Sequence, residues 1–219
     1  MCGRFVITSP PAVVRQVFWY AEQPNFPPRY NIAPTQPIPV VILENGARHF
    51  KLMRWGLIPA WVKDPRNLSL LINARRETVL EKPAFKNAIK RRRCLIPADG
   101  YYEWNTAGGR RRPYFIHRRD GALFGLAGLA ETWIGPNGEE LDTVARVHPA
   151  ALHMAEVEAA ATGGQPDLLQ GWLGVDDDAA VVGKHQFEHT AGALRVDVDD
   201  VDLQPLVGLG FDGRQHGVA

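Results

Sequence analysis

Six prolines fall within residues 24–39 of "EQPNFPPRYNIAPTQPIPVVILENGARHFKLMRWGLIPAW", with a seventh at Pro59, and the first six leave no room for a helix of ordinary length before residue 40. Proline fixes its own φ, lacks an amide donor and biases the residue before it toward extended backbone. Between the prolines lie two short strand-like runs, "PVVIL" and "RHFKLMRW", joined by Glu44-Asn45-Gly46. Asn-Gly between apolar runs signals a hairpin, because both residues tolerate the positive φ of a tight turn.

Strand character continues in "RCLIPADGYYEW", "RPYFIHRRDGALFGLAGLAETWI" and "GALRVDVDDVDLQPL", with turns expected at Asp99-Gly100, Asp120-Gly121 and Asn137-Gly138. Helices are expected in two places. "SPPAVVRQVFWYA" offers Ser9 as a cap and Pro10 or Pro11 in the first turn, and "PAFKNAIKRRR" puts Phe85 and Ile89 on one side. The alanine-rich residues 145–168 have the composition of a helix up to Gly163-Gly164. The pattern predicts an α+β fold, one domain over residues 1–219 built on a curved, mostly antiparallel sheet or barrel with a few peripheral helices.

No apolar run approaches the ~18 residues of a membrane span, and the N-terminus has no signal-peptide pattern, so a cytoplasmic protein is expected. Charge is unevenly spread. Residues 86–119 hold ten Lys and Arg against Asp99 and Glu103, a local +8, whereas residues 174–219 hold nine acidic residues against three basic ones, a local −6. A polyanion-binding face in the middle of the chain and an acidic C-terminal part are expected. The histidines lack metal-ligand spacing and no glycine-rich phosphate loop follows a strand, so neither metal nor cofactor is expected.

The chain begins "MCGRF", and Cys2 and Cys94 are its two cysteines. Loss of Met1 would make Cys2 the first residue, with an α-amine of reference pKa ~8 beside a thiol of ~8.5. Such an aminothiol can attack an aldehyde, first through nitrogen to give a Schiff base and then through sulfur to close a thiazolidine ring. The other reading is a small buried residue that starts a strand. Cys94 precedes an apolar run and reads as a core residue. "RWGLIPAW" places Trp55 and Trp61 where they could stack on unpaired bases or close one end of the core. "LINARRETV" sets Asn73 before Arg75 and Arg76, an amide able to orient a reacting group and guanidinium groups able to hold phosphates. "PADGYYEW" sets Glu103 among aromatic residues, where a raised pKa would suit acid-base work.

Taken in order, "MCGRF", "RYNIAPTQ", "RWGLIPAW", "NARRET", "RRCLIPADGYYEW" and "PYFI" followed by "GLAGLAETW" resemble the SOS-response-associated peptidase (SRAP) family. These abasic-site processing proteins cross-link themselves to damaged single-stranded DNA. The resemblance is close over roughly residues 2–135. It implies Cys2 as covalent nucleophile, Asn73 positioning the sugar and Glu103 moving protons. It also implies phosphate contacts from Arg4, Arg75 and Arg76, and a DNA-facing surface at Pro34, Trp55 and Trp61. The implied partner is single-stranded DNA with an abasic site, with no membrane association. The protein would act as a monomer in the cytoplasm, or at the nucleoid in a prokaryote.

The chain departs from the family where members carry a histidine in a His-x-Arg-x-Pro segment. Counting back from "WLGV", that position falls near Val157 or Glu158. His148 and His153 lie upstream, in the alanine-rich stretch. Compensating frame shifts, replacement by His153 or Glu158, and outright loss of the group are the three explanations. Two other functions compete with covalent capture: a cysteine-type peptidase, including removal of Met1 by self-cleavage, and a noncovalent single-stranded DNA-binding module.

Overall fold

In the computed structural model, which describes residues 3–105, 112–118, 120–148 and 201–205, strand β1 (Arg4–Ile7) is followed by helix α1 (Pro11–Phe18) and β2 (Arg29–Ile32). Helix α1 buries Val14 and Phe18, four residues apart on one face, and leaves Val13 exposed. Pro11 sits in its first turn, but the cap is Pro10 and Ser9 makes no cap bond. The Asp99 carboxylate accepts from the Thr8 and Ser9 amides and from the Ser9 hydroxyl, which holds Ser9 one residue too early to cap.

Strands β3 (Pro37–Glu44) and β4 (Ala47–Trp55) form the expected hairpin, in register from Pro37 opposite Arg54 to Glu44 opposite Ala47. Asn45 and Gly46 take φ of 52° and 77°, the positive values that the Asn-Gly pair predicts. After β5 (Asn73–Arg75) comes a run of turns that ends in α2 (Ala88–Arg91), much shorter than the helix expected there, although Phe85 and Ile89 are both buried. Then follow β6 (Arg93–Ala98), β7 (Gly100–Asn105), β8 (Arg112–Arg118), β9 (Phe124–Ile134), β10 (Glu140–His148) and β11 (Val201–Pro205).

These strands make two sheets. In the larger, β4, β3, β6, β9 and β10 are successive antiparallel neighbours, and β10 returns to pair in parallel with β4 through Thr143 opposite Arg54 and Val144 opposite Trp55. That last pairing closes a five-stranded barrel, which satisfies backbone groups that an open sheet would leave at its edges. Strand β5 attaches in parallel to β10 beyond the closure, Asn73 opposite Arg146 and Arg75 opposite His148. The second sheet has the order β11-β8-β7-β1-β2. Ile38, Val40, Trp55, Ile96, Leu129 and Val144 are buried in the core, and the Phe5 ring of β1 meets the Trp55 ring edge-on at 5.3 Å, joining the sheets.

Two of the expected turns also carry the chain between sheets. At Asp99 the chain leaves β6 of the barrel for β7 of the second sheet, and after β8 it turns at Gly121, whose amide donates to the Arg118 carbonyl, to enter β9; Asn137-Gly138 is the hairpin turn between β9 and β10. Residues 145–148 are strand, not helix. Val144, Ala145 and Val147 are buried, and the backbone bonds of this segment go to β9 and β5 instead of to itself, so sheet pairing overrides alanine's helical preference. The rest of the alanine-rich stretch, residues 149–168, lies outside the described residues.

Because Asp99 ties the end of β1 to the crossing through four hydrogen bonds from Thr8 and Ser9, Asp99→Ala should cost about 1.5–3 kcal/mol, the range for bonds to a charged group. Urea unfolding followed by fluorescence would read this as a lowered midpoint with unchanged slope.

Candidate active site

The two sheets meet where β7 faces β10, and polar side chains from both fill the junction. Tyr101 and Glu103, two residues apart on β7, face the same way. Opposite them on β10 are Arg146 and His148, likewise two apart. The Arg146 guanidinium lies over the Tyr101 ring, 4.6 Å from its centroid, and the His148 Nε2 is 3.6 Å from the Glu103 Oε1. Strand β5 adds Asn73 beside Arg146 and Arg75 beside His148, and the Arg76 amide donates to the His148 carbonyl at 2.9 Å.

Burial makes the charges consequential. Arg146 is 5% exposed and His148 6%, and Glu103 is mostly covered. Burial acts to raise the Glu103 pKa, but the contact with His148 acts the other way, and the net direction is below the usual glutamate value. The sequence-based expectation of a raised pKa from aromatic surroundings is therefore reversed: the aromatic residues are present, but so is His148, a polar neighbour from another sheet. Arg146 finds no hydrogen-bond partner for its Nε or Nη1 among the described residues, so its charge is directed at the Tyr101 face and the surrounding site.

The start of the chain reaches the same place. Strand β1 runs antiparallel to β7 with Arg4 opposite Tyr102 and Phe5 opposite Tyr101, so the N-terminal end of β1 lies at the Glu103 end of β7. Arg4 donates to the Asn31 side chain at 3.1 Å on the exposed side of this sheet, and the Tyr102 hydroxyl donates to the Tyr30 carbonyl. Cys2 and His153 lie outside the described residues. Cys94 is fully buried, and burial pushes its thiol pKa far up, which leaves it unreactive.

The two loop tryptophans differ. Trp55 is 1% exposed, packed on Phe5 and donating from its indole to the Ile72 carbonyl at 3.0 Å, so it is a core residue and cannot stack on a base. This corrects its assignment to the DNA-facing surface. Trp61 is 64% exposed, yet the turn that carries it is fixed: Val62 packs with Ile58 and Trp133 in a small satellite core, and the Val62 carbonyl accepts from the Trp133 indole. Pro34 lies in the β2–β3 loop, which is clamped to Trp55 by the Thr35 amide donating to its carbonyl at 2.7 Å and by its own amide donating to Gln36. Arg75 is exposed and Arg76 half-buried.

The structure thus gathers Asn73, Arg75 and Glu103, and it adds Arg146 and His148, whose roles the sequence reading did not assign. Their signal was the alternation Val144, Arg146, His148, with polar residues two apart on a buried strand. Among the described residues no three His, Cys, Asp or Glu side chains converge on one point, and no helix is long and apolar enough to cross a membrane. Chemically, the site combines a buried carboxylate, an imidazole, an amide and a buried cation, a set suited to moving protons at a polar substrate.

A family profile described as SOS response associated peptidase (SRAP) matches residues 1–157. The chain is 39% identical over 147 residues to abasic site processing protein YoaM of Bacillus subtilis, covering 65% of each. It is 30% identical over 183 residues to abasic site processing protein HMCES of Xenopus tropicalis, covering 64% of this chain and 55% of that one. The match therefore spans less than two thirds of these relatives' length. Two solved structures share the fold: a protein from Bacteroides thetaiotaomicron (TM-score 0.71, 22% identity, 93% of this chain and 91% of the other) and a phage-related protein from Bordetella bronchiseptica (0.68, 24%, 94% and 95%).

Two outcomes test this geometry. Trp55→Ala should lose about 3–5 kcal/mol of stability, as for large aromatic truncations in a core, whereas Trp61→Ala should stay within about 0.5 kcal/mol of wild type in urea unfolding. Glu103 is more acidic folded than unfolded, so its contribution to stability is present above the unfolded pKa of ~4.3 and is lost as pH falls through the lower folded value. Stability measured from pH 6 downward should therefore decline less steeply in Glu103→Gln than in wild type.

Proposed function

The chain belongs to the SOS response associated peptidase (SRAP) family, and on that premise we propose that it captures abasic sites in single-stranded DNA through a covalent bond to Cys2. An abasic deoxyribose in its open form carries an aldehyde. With Met1 removed, the Cys2 amine adds to the carbonyl carbon, the resulting carbinolamine loses one water to give an imine, and the thiol adds across the imine to close a thiazolidine. One water is released overall. The closed ring removes the aldehyde that promotes strand-breaking β-elimination, so the lesion is shielded.

The observation that carries this reading is the position of the N-terminal end of β1 at the Glu103 end of β7, beside Asn73 and His148. Glu103, a buried carboxylate held in its charged form, accepts the proton that each addition releases and returns one to the departing hydroxyl. Asn73, fixed in register with Arg146, orients the sugar. Arg4, Arg75 and Arg76 hold phosphates on either side, and Trp61 stacks on a base next to the lesion. The relatives named as abasic site processing proteins support the choice of lesion. One domain over residues 1–219, acting as a monomer in the cytoplasm or at the nucleoid, completes the proposal.

Mixing the purified protein with an oligonucleotide bearing one abasic site should give an adduct stable on a denaturing gel. Cys2→Ala should abolish it, Glu103→Gln should slow it by about 10²-fold, and Trp61→Ala should weaken capture by about 1–3 kcal/mol, the worth of one stacked base. An adduct that persists in Cys2→Ala would overturn the proposal, and cleavage of peptides in its place would establish the peptidase alternative.

A further inference from the structure

We propose that the outward groove between α1 and residues 23–25 is a second binding subsite, one that takes a nucleotide of single-stranded DNA away from the reacting centre. The proposal rests on the single-strand binding in the function proposed above, and not on its covalent step.

Trp19 singles this groove out. It ends α1 with φ of 55° and ψ of 57°, the left-handed conformation that favours glycine or asparagine at a helix end and is strained for a bulky aromatic residue. Burial does not compensate, because Trp19 is 63% exposed and makes no ring contact among the described residues. Strain kept without packing points to a use for the indole face. The groove beside it has a volume of about 860 Å³, room enough for a nucleotide.

Helical spacing assembles the other groups. Val14 and Phe18 turn one face of α1 into the core, so Arg15, Gln16 and Trp19 share the outward one. Gln23 and Asn25 line the groove with them. Arg15 and the three amide side chains make no side-chain hydrogen bond or ion pair among the described residues. No acidic side chain lines the groove. Glu22, which adjoins it in sequence, is turned to β4, where its carboxylate meets the His49 ring at 2.8 Å and accepts from the Phe50 amide at 3.1 Å.

These groups match one nucleotide. The indole offers a stacking face to any base, the guanidinium four residues earlier offers charge to a phosphate, and the amides offer donors and acceptors to a base edge. A cation with no carboxylate beside it favours an anionic occupant, and the flat aromatic face next to it favours a base over an acidic peptide. Placement separates this subsite from the chemistry. Helix α1 follows the end of β1 that pairs with Gly100, opposite the end that reaches Glu103, and Asp99 holds Ser9 between them. A strand seated at both places is gripped beyond both ends of β1.

The test measures binding of the full chain to a labelled single strand of about 16 nucleotides, carrying a tetrahydrofuran analogue of the lesion, across a salt series. Trp19→Gly should melt at or above wild type, since glycine suits the positive φ, yet bind about tenfold more weakly with an unchanged salt slope. Trp19→Phe, which keeps a ring, should stay within about threefold of wild type. Arg15→Gln should bind more weakly and flatten the slope of log K against log salt by about 0.7, the worth of one phosphate contact on a single strand. With a true abasic strand at saturating concentration, all three variants should form adduct at the wild-type rate. Wild-type affinity and slope in Trp19→Gly and Arg15→Gln would overturn the subsite. Slowed adduct formation at saturation would overturn it too, because these residues would then act on the chemistry. Variants that bind DNA as wild type does but lose a labelled glutamate-rich peptide that wild type holds would assign the groove to a peptide and overturn the proposal. A wild type that binds no single strand overturns both the subsite and the single-strand reading. A wild type that binds the strand without forming adduct overturns covalent capture alone, and the affinities of the variants still decide the subsite.

Discussion

Closure of the barrel by β10 is the constraint on which the rest depends. One edge of this strand pairs with β9 along most of its length, while the other is shared, first by β4 at Thr143 and Val144 and then by β5 from Arg146 to His148. The handover occurs where the chain leaves β4 at Gly56, whose φ of 134° suits glycine and whose amide donates to the Val144 carbonyl. Without the first pairing the barrel would have open edges; without the second, Asn73 would not stand beside Arg146. The same strand thus completes the core and presents the polar face of the site.

Electrostatics at the junction follow from that placement. Buried charges persist only where partners compensate desolvation, and here the compensation crosses between sheets: His148 with Glu103, and Arg146 over Tyr101. The exposed loop tryptophan and the arginines lie on the surface to which the proposal assigns single-stranded DNA, through stacking and phosphate contacts.

Features with local causes were readable in the sequence. The Asn45-Gly46 hairpin needs only two residues that accept positive φ, and Pro11 suits a first helical turn wherever the helix packs. Features set by distant partners were not. Ser9 has the right chemistry for a cap, but Asp99, ninety residues away, claims it. Trp55 and Trp61 lie six residues apart in one segment, and tertiary contacts, Phe5 from β1 and the Ile72 carbonyl, make the first core while the second stays on the surface. Residues 145–148 look helical by composition because strand pairing with β5 and β9 is invisible along the chain. His148 could be named from the sequence but not given a role for the same reason: its neighbour, Glu103, belongs to another sheet.

Covalent capture by the N-terminal residue is the claim on which the functional account stands, and peptide mapping of the cross-linked species tests it most directly. The adduct is digested on both its protein and DNA sides and the N-terminal peptide sequenced by mass spectrometry. The account predicts a peptide that begins at Cys2 without Met1 and carries the sugar remnant with the loss of one water. Its thiol should be unreactive toward iodoacetamide because sulfur is part of the ring. A remnant found on a lysine, or a Cys2 that keeps Met1 and a free thiol in the cross-linked species, would contradict it.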